Sequence, residues 1–531
     1  MADRRDFPPR RRRAKKNKWV LPAILIALGL TVGSIVLAVC LGGEEPTPTD
    51  PPAVTTEPTT EPTTEPTTEP TTEPTTEPTT EPTTEPPTEP PVTKVSTATL
   101  AAVGDILPHM PIVRSYNFGE QGWDFSEIFT HYTEYISRAD YAIANLETTL
   151  ASNDNGHDYC GGNNNVLKFN TPDSIIDALK NSGFDMLLTA NNHSYDTRHV
   201  GFTRTQTVLQ QYGLDHIGTR PTVEDKEYLV KEINGVKVGL LCYTYETTRR
   251  YEDRISLNGI TLSPEDSLLT CSFNTADLPA FYADVAENLE KMREEGAEAT
   301  VLFLHWGQEY KIKQNSTQSE MAQQLCDLGI DVIIGGHPHV VQPVALLDST
   351  TDPEHKTVCI YSTGNAISNQ RREYMNLNTG HTEDGVIVEL SFAKYSEGTV
   401  LLERFHVIPT WVKMVYGEGD ARDYTIYPLD PAVDSWQEKY AESDWFIGMM
   451  SQSYNRTMDI IGDGLKQVEE YLQTRQAQVE EQLGVPPTEP VVPEPTEPEE
   501  TTVATEPVET TEATVSTEPT TEPTSATQPT E

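Results

Sequence analysis

Residues 100–109 read LAAVGDILPH, and this stretch sets the pattern for the rest of the chain. An apolar run from Leu100 to Val103 ends in Gly104 and Asp105, so a buried strand is followed at once by a carboxylate. Glycine lacks a Cβ and lets the backbone turn tightly at that point. In open α/β sheets, ligands bind at the carboxyl ends of the strands. The stretch therefore predicts a strand that places Asp105 in a functional site.

The same arrangement, an apolar run closed by polar residues, recurs four more times before residue 343. The runs are residues 141–144, 186–189, 300–304 and 332–334. The polar clusters are Asn145-Leu146-Glu147, Asn191-Asn192-His193, His305-Trp306-Gly307 and Gly336-His337-Pro338-His339. Carboxylate, amide and imidazole groups are common ligands of divalent metal ions. Strand ends that carry them together predict a hydrolytic site with two metal ions.

The order of these residues resembles that in the calcineurin-like metallophosphoesterases. The resemblance is closer to the capsule synthesis protein CapA family, which is linked to poly-γ-glutamate production. It covers roughly residues 97 to 415 in six ordered motifs, which also include Asp196, Glu309, Gln342 and Ser362-x-Gly364-Asn365. The resemblance implies an α/β fold of the metallophosphoesterase type, a four-layer αββα sandwich.

The pattern of the chain by itself also favours an α/β fold, because apolar strands alternate with helical stretches. Helices are predicted at residues 172–182, 200–212, 276–295 and 318–328. Residues 385–392 and 400–408 are predicted to form adjacent strands. After residue 431, apolar positions at three- and four-residue spacing predict a helical segment to Leu483, and we expect its apolar face to pack on its own domain.

The resemblance implies six metal ligands. Asp105 and His339 are expected on a first ion, and Asn192, His305 and His337 on a second ion. Glu147 stands where the family has a bridging Asp. Mixed oxygen and nitrogen ligands do not decide among Mn²⁺, Mg²⁺, Fe and Zn²⁺. Two such ions would lower the pKa of a bound water and clamp the attacking and leaving oxygens.

Four further residues are assigned around the ions. His193 is expected to act catalytically on the leaving group, with Asp196 orienting it. His109 comes four residues after Asp105, whereas the phosphoesterase pattern has a histidine two residues after. We assign His109 to substrate contact, and metal ligation or a loop role stays open. Glu309 is expected to hydrogen-bond His305 or to act on substrate.

The amino-terminal part predicts a membrane anchor. Residues 1–18 are rich in Arg and Lys, and residues 19–41 are uncharged, apolar and long enough to cross a bilayer. The basic flank predicts a cytoplasmic amino terminus and a main domain outside the cell membrane, at the bacterial surface. A cleaved signal peptide is the alternative.

Two segments rich in Thr, Glu and Pro, residues 42–96 and 485–531, are predicted to be disordered stalks, because regular Pro prevents helix and strand. Between them, we predict a CapA-like domain at 97–415 and a helical extension at 416–484. The formal net charge of −44 argues against a nucleic-acid partner. The chain contains six cysteines, of which Cys160 and Cys271 lie in loop-like surroundings and could pair.

These features favour a membrane-anchored, extracytoplasmic CapA-like protein that is a metal-dependent hydrolase. Its expected role is in the synthesis, export or attachment of poly-γ-glutamate or a similar capsule polymer. The anionic polymer, or its synthase and export machinery, is the expected partner. Two alternatives stay open: a non-catalytic export or scaffold subunit that uses bound metal to hold polymer carboxylates, and a surface phosphoesterase or nucleotidase.

Overall fold

The computed structural model describes residues 92–154, 156–161, 168–247, 254–375, 377–417, 419 and 421–484. The predicted cytoplasmic tail, membrane anchor and carboxyl-terminal stalk lie outside these residues. Within the described part of the chain, no helix combines the length and the apolar character needed to span a membrane.

The described residues form the following elements. The strands are β1 (Lys94–Ile106), β2 (Tyr141–Leu146), β3 (Cys160–Gly161), β4 (Phe169–Asn170), β5 (Met186–Leu188), β6 (Asp215–Ile217), β7 (Tyr228–Ile233), β8 (Val236–Tyr245), β9 (Ser256–Leu257), β10 (Ile260–Thr261), β11 (Ser272–Phe273), β12 (Ala299–His305), β13 (Val332–Gly336), β14 (Val344–Asp348), β15 (Lys356–Ile360), β16 (Asn365–Ile367), β17 (Asp384–Tyr395), β18 (Val400–Tyr416) and β19 (Arg422–Pro428). The α-helices are α1 (Met110–Ser115), α2 (Thr133–Ile136), α3 (Ser174–Asn181), α4 (Arg198–Tyr212), α5 (Pro264–Ser267), α6 (Leu278–Glu294), α7 (Ser316–Asp327), α8 (Trp436–Tyr440) and α9 (Asp444–Leu483). Short 3₁₀ turns occupy Gly119–Gln121, Ser126–Phe129 and His381–Glu383.

Two large mixed sheets dominate the fold. The first has the strand order β19-β18-β17-β1-β2-β5-β6, with β16 also paired to β1. In it, β1, β2, β5 and β6 are parallel, and β17, β18 and β19 run as an antiparallel meander. The second has the order β11-β8-β12-β13-β15-β14, with β7 paired to β8. Its central strands β8, β12, β13 and β15 are parallel. The predicted α/β fold is confirmed.

The side-chain alternation of β1 shows how the layers stack. Leu100 and Ala102 face a core that also contains Leu240 and Val301 of the second sheet, so the two sheets pack face to face. Ala101 and Val103 face the opposite way, into a core shared with residues of α3 and α4. On the other side, α6 and α7 cover the second sheet. The described elements therefore stack as helices, sheet, sheet and helices.

Helix α9 closes one edge of this sandwich. Its buried residues Ile461, Val468 and Leu472 belong to the core between the two sheets, and the helix packs against β14 and β18. At Gly464 an added Cβ would lie 1.9 Å from the carbonyl oxygen of Val344, so only glycine permits this close approach. The apolar face of the helix thus packs on its own domain, as expected.

The folded domain begins earlier and ends later than the predicted range 97–415. Strand β1 begins at Lys94, inside the segment predicted as stalk, because its first residues pair with the end of β17. At the other end, β18 passes the predicted boundary at residue 415, and β19 pairs with it along the sheet edge. The sheet therefore continues to Pro428. The sequence did not predict β19, because its first residues are polar and form no clear apolar run, although Tyr424 and Ile426 are buried.

The five described cysteines are free thiols. Cys271 is buried, and its Sγ donates to the carbonyl oxygen of Glu227 at 3.9 Å. Cys160 lies on β3, and the possible bond between Cys160 and Cys271 is not formed.

Candidate metal centre

The polar residues that follow the parallel strands meet where the carboxyl ends of the two sheets come together. From the first sheet come Asp105 at the end of β1, Glu147 after β2, and Asn192 and His193 after β5. From the second come His305 at the end of β12, and His337 and His339 after β13. All seven side chains are buried. The structure therefore brings together residues that the sequence separates by more than two hundred positions.

Glu147 lies at the centre of this group. Its Oε1 is 3.4 Å from Nε2 of His305, 3.9 Å from Nε2 of His339 and 4.0 Å from Nε2 of His193. Both carboxylate oxygens are buried and have no hydrogen-bond partner among the described residues. An isolated buried carboxylate is strongly unfavourable. Three imidazole nitrogens thus surround the carboxylate, but they lie too far away for good hydrogen bonds. This arrangement is the one expected of a carboxylate that binds a cation together with the histidines.

The histidines after β13 also support the binding of a cation. Glu147, His337 and His339 each contribute one possible ligand atom, and these three atoms lie within 4.8 Å of one another. Nδ1 of His337 is also buried without a hydrogen-bond partner in the described structure. Both histidines have positive φ angles, +91° at His337 and +56° at His339, on either side of Pro338. Backbone strain of this kind is found at functional sites, where the surrounding structure holds it.

Asp105, unlike Glu147, has a polar partner at each of its carboxylate oxygens. Nδ2 of Asn145 donates to its Oδ1 at 2.7 Å, and Nδ1 of His339 lies 3.1 Å from its Oδ2. Complete burial acts to raise the pKa of Asp105, but the hydrogen bond with His339 and the nearby imidazoles outweigh it and lower this pKa below its ordinary value. Asp105 is therefore held as the carboxylate.

Glu147 differs, because burial and the adjacent charge of Asp105 raise its pKa well above the ordinary value in the metal-free protein. Burial also lowers the pKa of His305 to about 3 and that of His337 well below its usual range. Both imidazoles are thus neutral, which is the form that binds metals. A cation between these groups would offset the repulsion between the two carboxylates.

Asparagine side chains connect the ligand atoms of the two sheets. Oδ1 of Asn192 lies 2.8 Å from Nε2 of His305, so both potential ligand atoms point to one place. Behind them, Nδ2 of Asn191 donates to Oδ1 of Asn145 at 3.1 Å, and Oδ1 of Asn191 accepts the backbone N–H of His193 at 3.1 Å. This network holds the loop after β5 against the end of β2.

His193 and Asp196 form a pair beside Glu147. Nδ1 of His193 lies 2.7 Å from Oδ2 of Asp196, which also accepts the backbone N–H of Phe169 at 2.7 Å. The Phe169 ring packs edge-on against the imidazole, with centroids 4.6 Å apart. Together these contacts orient His193 so that its Nε2 faces the centre.

His109 and Glu309, the last two site residues predicted from the sequence, lie in the loops after β1 and β12. His109 caps α1, and its Nδ1 lies 3.1 Å from the carbonyl oxygen of Leu107 and 3.3 Å from the backbone nitrogen of Asn369. Burial lowers its pKa to about 3. Glu309 is half-buried in the turn after β12, next to Tyr310. His109 therefore joins two loops, and the charge of Glu309 lies close enough to contribute to the raised pKa of Glu147.

Sequence reasoning missed Tyr245, Phe169 and the full role of Asn365. Tyr245 is the last residue of β8. Its ring centroid lies 4.6 Å from that of His337, and its ring stacks on His305 with the centroids 6.4 Å apart. It follows an apolar run, so the strand-end pattern that found the other residues applies to it as well. Asn365 belongs to the motif Ser362-x-Gly364-Asn365 but was assigned no role in the site, and its Oδ1 lies 3.1 Å from Nδ1 of His339.

Comparison with solved structures finds a sulfate thiohydrolase SoxB from Thermus thermophilus in complex with glycerol. The two chains are 13% identical with a TM-score of 0.32, and the match covers 66% of this chain and 60% of the other. At this TM-score the likeness adds nothing to the assignment.

Among curated proteins, the chain is 25% identical to the capsule biosynthesis protein CapA of Bacillus anthracis over 306 residues, which is 57% of this chain and 66% of that protein. It is 27% identical to the PGA biosynthesis protein CapA of Bacillus subtilis (strain 168) over 281 residues, 52% of this chain and 63% of that protein. The chain thus spans a little under two thirds of the length of these relatives.

A family model described as bacterial capsule synthesis protein PGA_cap matches residues 99–370, about half of the chain, and these residues contain every group of the centre. The chain belongs to this family of bacterial capsule synthesis proteins.

Proposed function

We propose that this protein is a metal-dependent hydrolase that acts in the synthesis, export or attachment of a capsule polymer. The observation that carries the proposal is Glu147, a buried carboxylate with two unpartnered oxygens among three imidazole Nε2 atoms. Membership of the capsule synthesis family supports the pathway, and the donor set supports the chemistry.

The residues present fit divalent cations. Asp105 and His339 would hold one ion, and Asn192, His305 and His337 would hold the other, with Glu147 between them. Ions of Mn, Mg, Fe or Zn are all compatible with these donors. When bound, two such ions supply Lewis acidity and an activated water for hydrolysis, as in metallophosphoesterases.

His193 is the residue proposed to move a proton. Asp196 holds its Nδ1 at 2.7 Å, which leaves Nε2 directed toward the centre. From there His193 can donate a proton to the leaving group as the scissile bond breaks. The buried ring of Phe169 packs against the imidazole and helps to hold its orientation. His109 and Glu309, nearer the loops, are proposed to contact substrate.

The proposed substrate is poly-γ-glutamate or a similar anionic capsule polymer, and the proposed partners are that polymer or its synthase and export machinery. The name of the Bacillus subtilis relative supports this choice. We further propose that residues 19–41 anchor the chain in the cell membrane by a single span, with residues 1–18 in the cytoplasm and the folded domain at the bacterial surface.

The test is metal analysis of the purified full-length protein, combined with a screen of phosphoesters and γ-glutamyl peptides. We expect bound divalent metal and metal-dependent turnover of a γ-glutamyl substrate. Turnover of phosphoesters alone would instead support a surface phosphoesterase or nucleotidase. Absence of bound and bindable metal would refute the proposal.

One departure from the family pattern favours a second candidate. Glu147 stands where metallophosphoesterases have Asp, and the residues around it, Asn145-Leu146-Glu147, do not form a Gly-Asp-x-x-Asp element. The longer side chain changes the bridging geometry, so the protein could retain metal without hydrolysis and bind polymer carboxylates as an export or scaffold subunit. Metal binding without turnover of any substrate in the screen would select this candidate.

A further inference from the structure

Helix α9 lies beyond the residues that match the family model, yet it is connected to the candidate metal centre. On α9, Arg456 donates from Nε to Oδ2 of Asp384 at 2.8 Å and from Nη2 to Oδ1 at 2.7 Å. Ser453, three residues earlier on the helix, donates to Oδ1 of Asp384 at 2.6 Å. Asp384 is 1% exposed. Arg456 is partly buried, so the contact is a largely buried, two-pronged ion pair, which fixes geometry more strictly than a surface pair does.

The backbone around Asp384 continues the connection. Asp384 begins β17 and directly follows the 3₁₀ turn His381–Glu383. Within that turn, the carbonyl oxygen of Thr382 accepts from Nδ2 of Asn365 at 3.1 Å. The adjacent Gly385 packs so closely on Asn365 that an added Cβ would lie 2.2 Å from its carbonyl oxygen. The turn that Arg456 anchors is therefore the one that fixes the side chain of Asn365.

Asn365 in turn sets the orientation of a proposed ligand. Its Oδ1 lies 3.1 Å from Nδ1 of His339, and its Nδ2 donates to the carbonyl oxygen of His339 at 3.2 Å. Nδ1 of His339 also lies 3.1 Å from Oδ2 of Asp105, while Nε2 faces Glu147 at 3.9 Å. Partners on the second ring nitrogen fix the orientation and basicity of a metal-binding histidine.

We propose that Arg456, assisted by Ser453, is a positioning residue that acts through Asp384 and Asn365 to orient the His339 imidazole. Helix α9 thereby determines how firmly one side of the centre is preorganised. The effect on ring orientation is a property of the chain alone, whereas its effect on cation affinity rests on the proposed function.

The test measures reaction of His339 with diethylpyrocarbonate in the metal-free full-length protein, with the modified residue identified by mass spectrometry. His339 is 1% exposed, so wild type should react slowly. In Arg456→Ala the ring loses its fixed orientation, and we expect His339 to be modified faster than in wild type. Arg456→Lys, which keeps the charge but not the two-pronged geometry, should fall between.

Arg404→Ala is the matched control. Arg404 pairs with Glu389, which is also on β17, through Nη2 at 2.9 Å, and within the described structure no hydrogen bond joins that pair to Asn365. We expect the wild-type rate at His339 in this variant. His216 on β6, at the far edge of the first sheet, reports on general loosening. An unchanged rate at His339 in Arg456→Ala, or an equal rise at His216, would overturn the proposal.

Removing one partner of a buried ion pair can prevent folding. Ser453→Ala, which removes a single hydrogen bond to Asp384, is therefore measured in parallel, and a smaller selective rise at His339 is expected. Titration of the same proteins with Mn²⁺ separates the two proposals. Wild type that binds no Mn²⁺ contradicts the metal centre, while the labelling result still decides the role of Arg456. If wild type binds Mn²⁺, Arg456→Ala should bind it about tenfold more weakly.

Discussion

At the scale of single residues, Glu147 distinguishes a metal centre from a cluster of buried histidines. Changing Glu147 to Gln preserves the shape of the side chain but removes its negative charge. Because a neutral amide brings no negative charge to offset that of a bound cation, we expect affinity for Mn²⁺ to fall by at least about tenfold, as measured by calorimetry on the metal-stripped protein.

The matched control is Glu309→Gln, the same chemical change at a half-buried carboxylate in the loop after β12. Affinity for Mn²⁺ should stay close to that of wild type in this variant. Equal affinity in Glu147→Gln and wild type would show that the unpartnered carboxylate is not a ligand.

His193 is predicted to affect turnover and not metal binding, because its Nδ1 is held by Asp196 and only its Nε2 approaches Glu147. We expect His193→Ala to retain bound metal and to lose about 10² to 10⁴ in turnover rate, the usual contribution of a general acid. The measurement is metal content beside steady-state rate. Normal polymer production by cells carrying His193→Ala, with failure of Glu147→Gln, would favour the scaffold function.

At the scale of elements, the contact between α9 and β14 depends on one glycine. An added Cβ at Gly464 would lie 1.9 Å from the carbonyl oxygen of Val344, so Gly464→Ala must push the helix away from the strand. We expect a loss of about 1–3 kcal/mol in the free energy of unfolding, the usual effect of overpacking. Chemical denaturation followed by circular dichroism measures it.

Gly462 provides the control on the same helix. There an added Cβ would meet only the terminal methyl of Met458, at 3.8 Å. Since alanine favours a helix over glycine by about 1 kcal/mol, Gly462→Ala should be neutral or stabilising. Similar destabilisation by both changes would mean that close packing at Gly464 is not the cause.

The first residue of β17 should make stability depend on pH. Burial raises the pKa of Asp384 to about 6, although Arg456 and Ser453 act to lower it. Since its ordinary value is 3.8, the folded state binds this proton more tightly than the unfolded state does between these values. Ionisation of Asp384 therefore reduces stability as the pH rises through that window.

Asp384→Asn removes this titration while keeping the size of the side chain. The free energy of unfolding of wild type, relative to Asp384→Asn, is expected to decrease between about pH 4 and pH 7, by an amount on the order of 3 kcal/mol. Urea unfolding at several pH values gives the difference. A difference that is constant or rises with pH would contradict the assignment.

At the scale of the whole molecule, the prediction concerns topology. The basic block before residue 19 predicts a cytoplasmic amino terminus, so the folded domain should be exposed on intact cells. We expect added protease to remove everything beyond residues 42–96 and to spare residues 1–18, as detected by antibodies to each end. Protection of the region around Asn192 until cells are lysed would contradict this topology.

Much of the candidate centre was predictable from sequence, because a local rule finds it. Each parallel strand is an apolar run, and the residue that ends the run must lie at the carboxyl edge of the sheet. That rule located Asp105, Glu147 and His305 without knowledge of the other sheet. It could not locate Asn365 in its role beside His339, because that role depends on a contact between segments 26 residues apart in sequence.

The sequence by itself determined the α/β class, the ligand types and the family resemblance, since these follow from hydrophobic periodicity and from motifs read along the chain. Only the tertiary structure decided that Glu147 has no hydrogen-bond partner, that β19 completes the first sheet, and that Arg456 on α9 is linked to His339. Those properties depend on which surfaces exclude water and on pairings between distant segments. Periodicity records that a side chain is buried, but the packed structure decides what it is buried against.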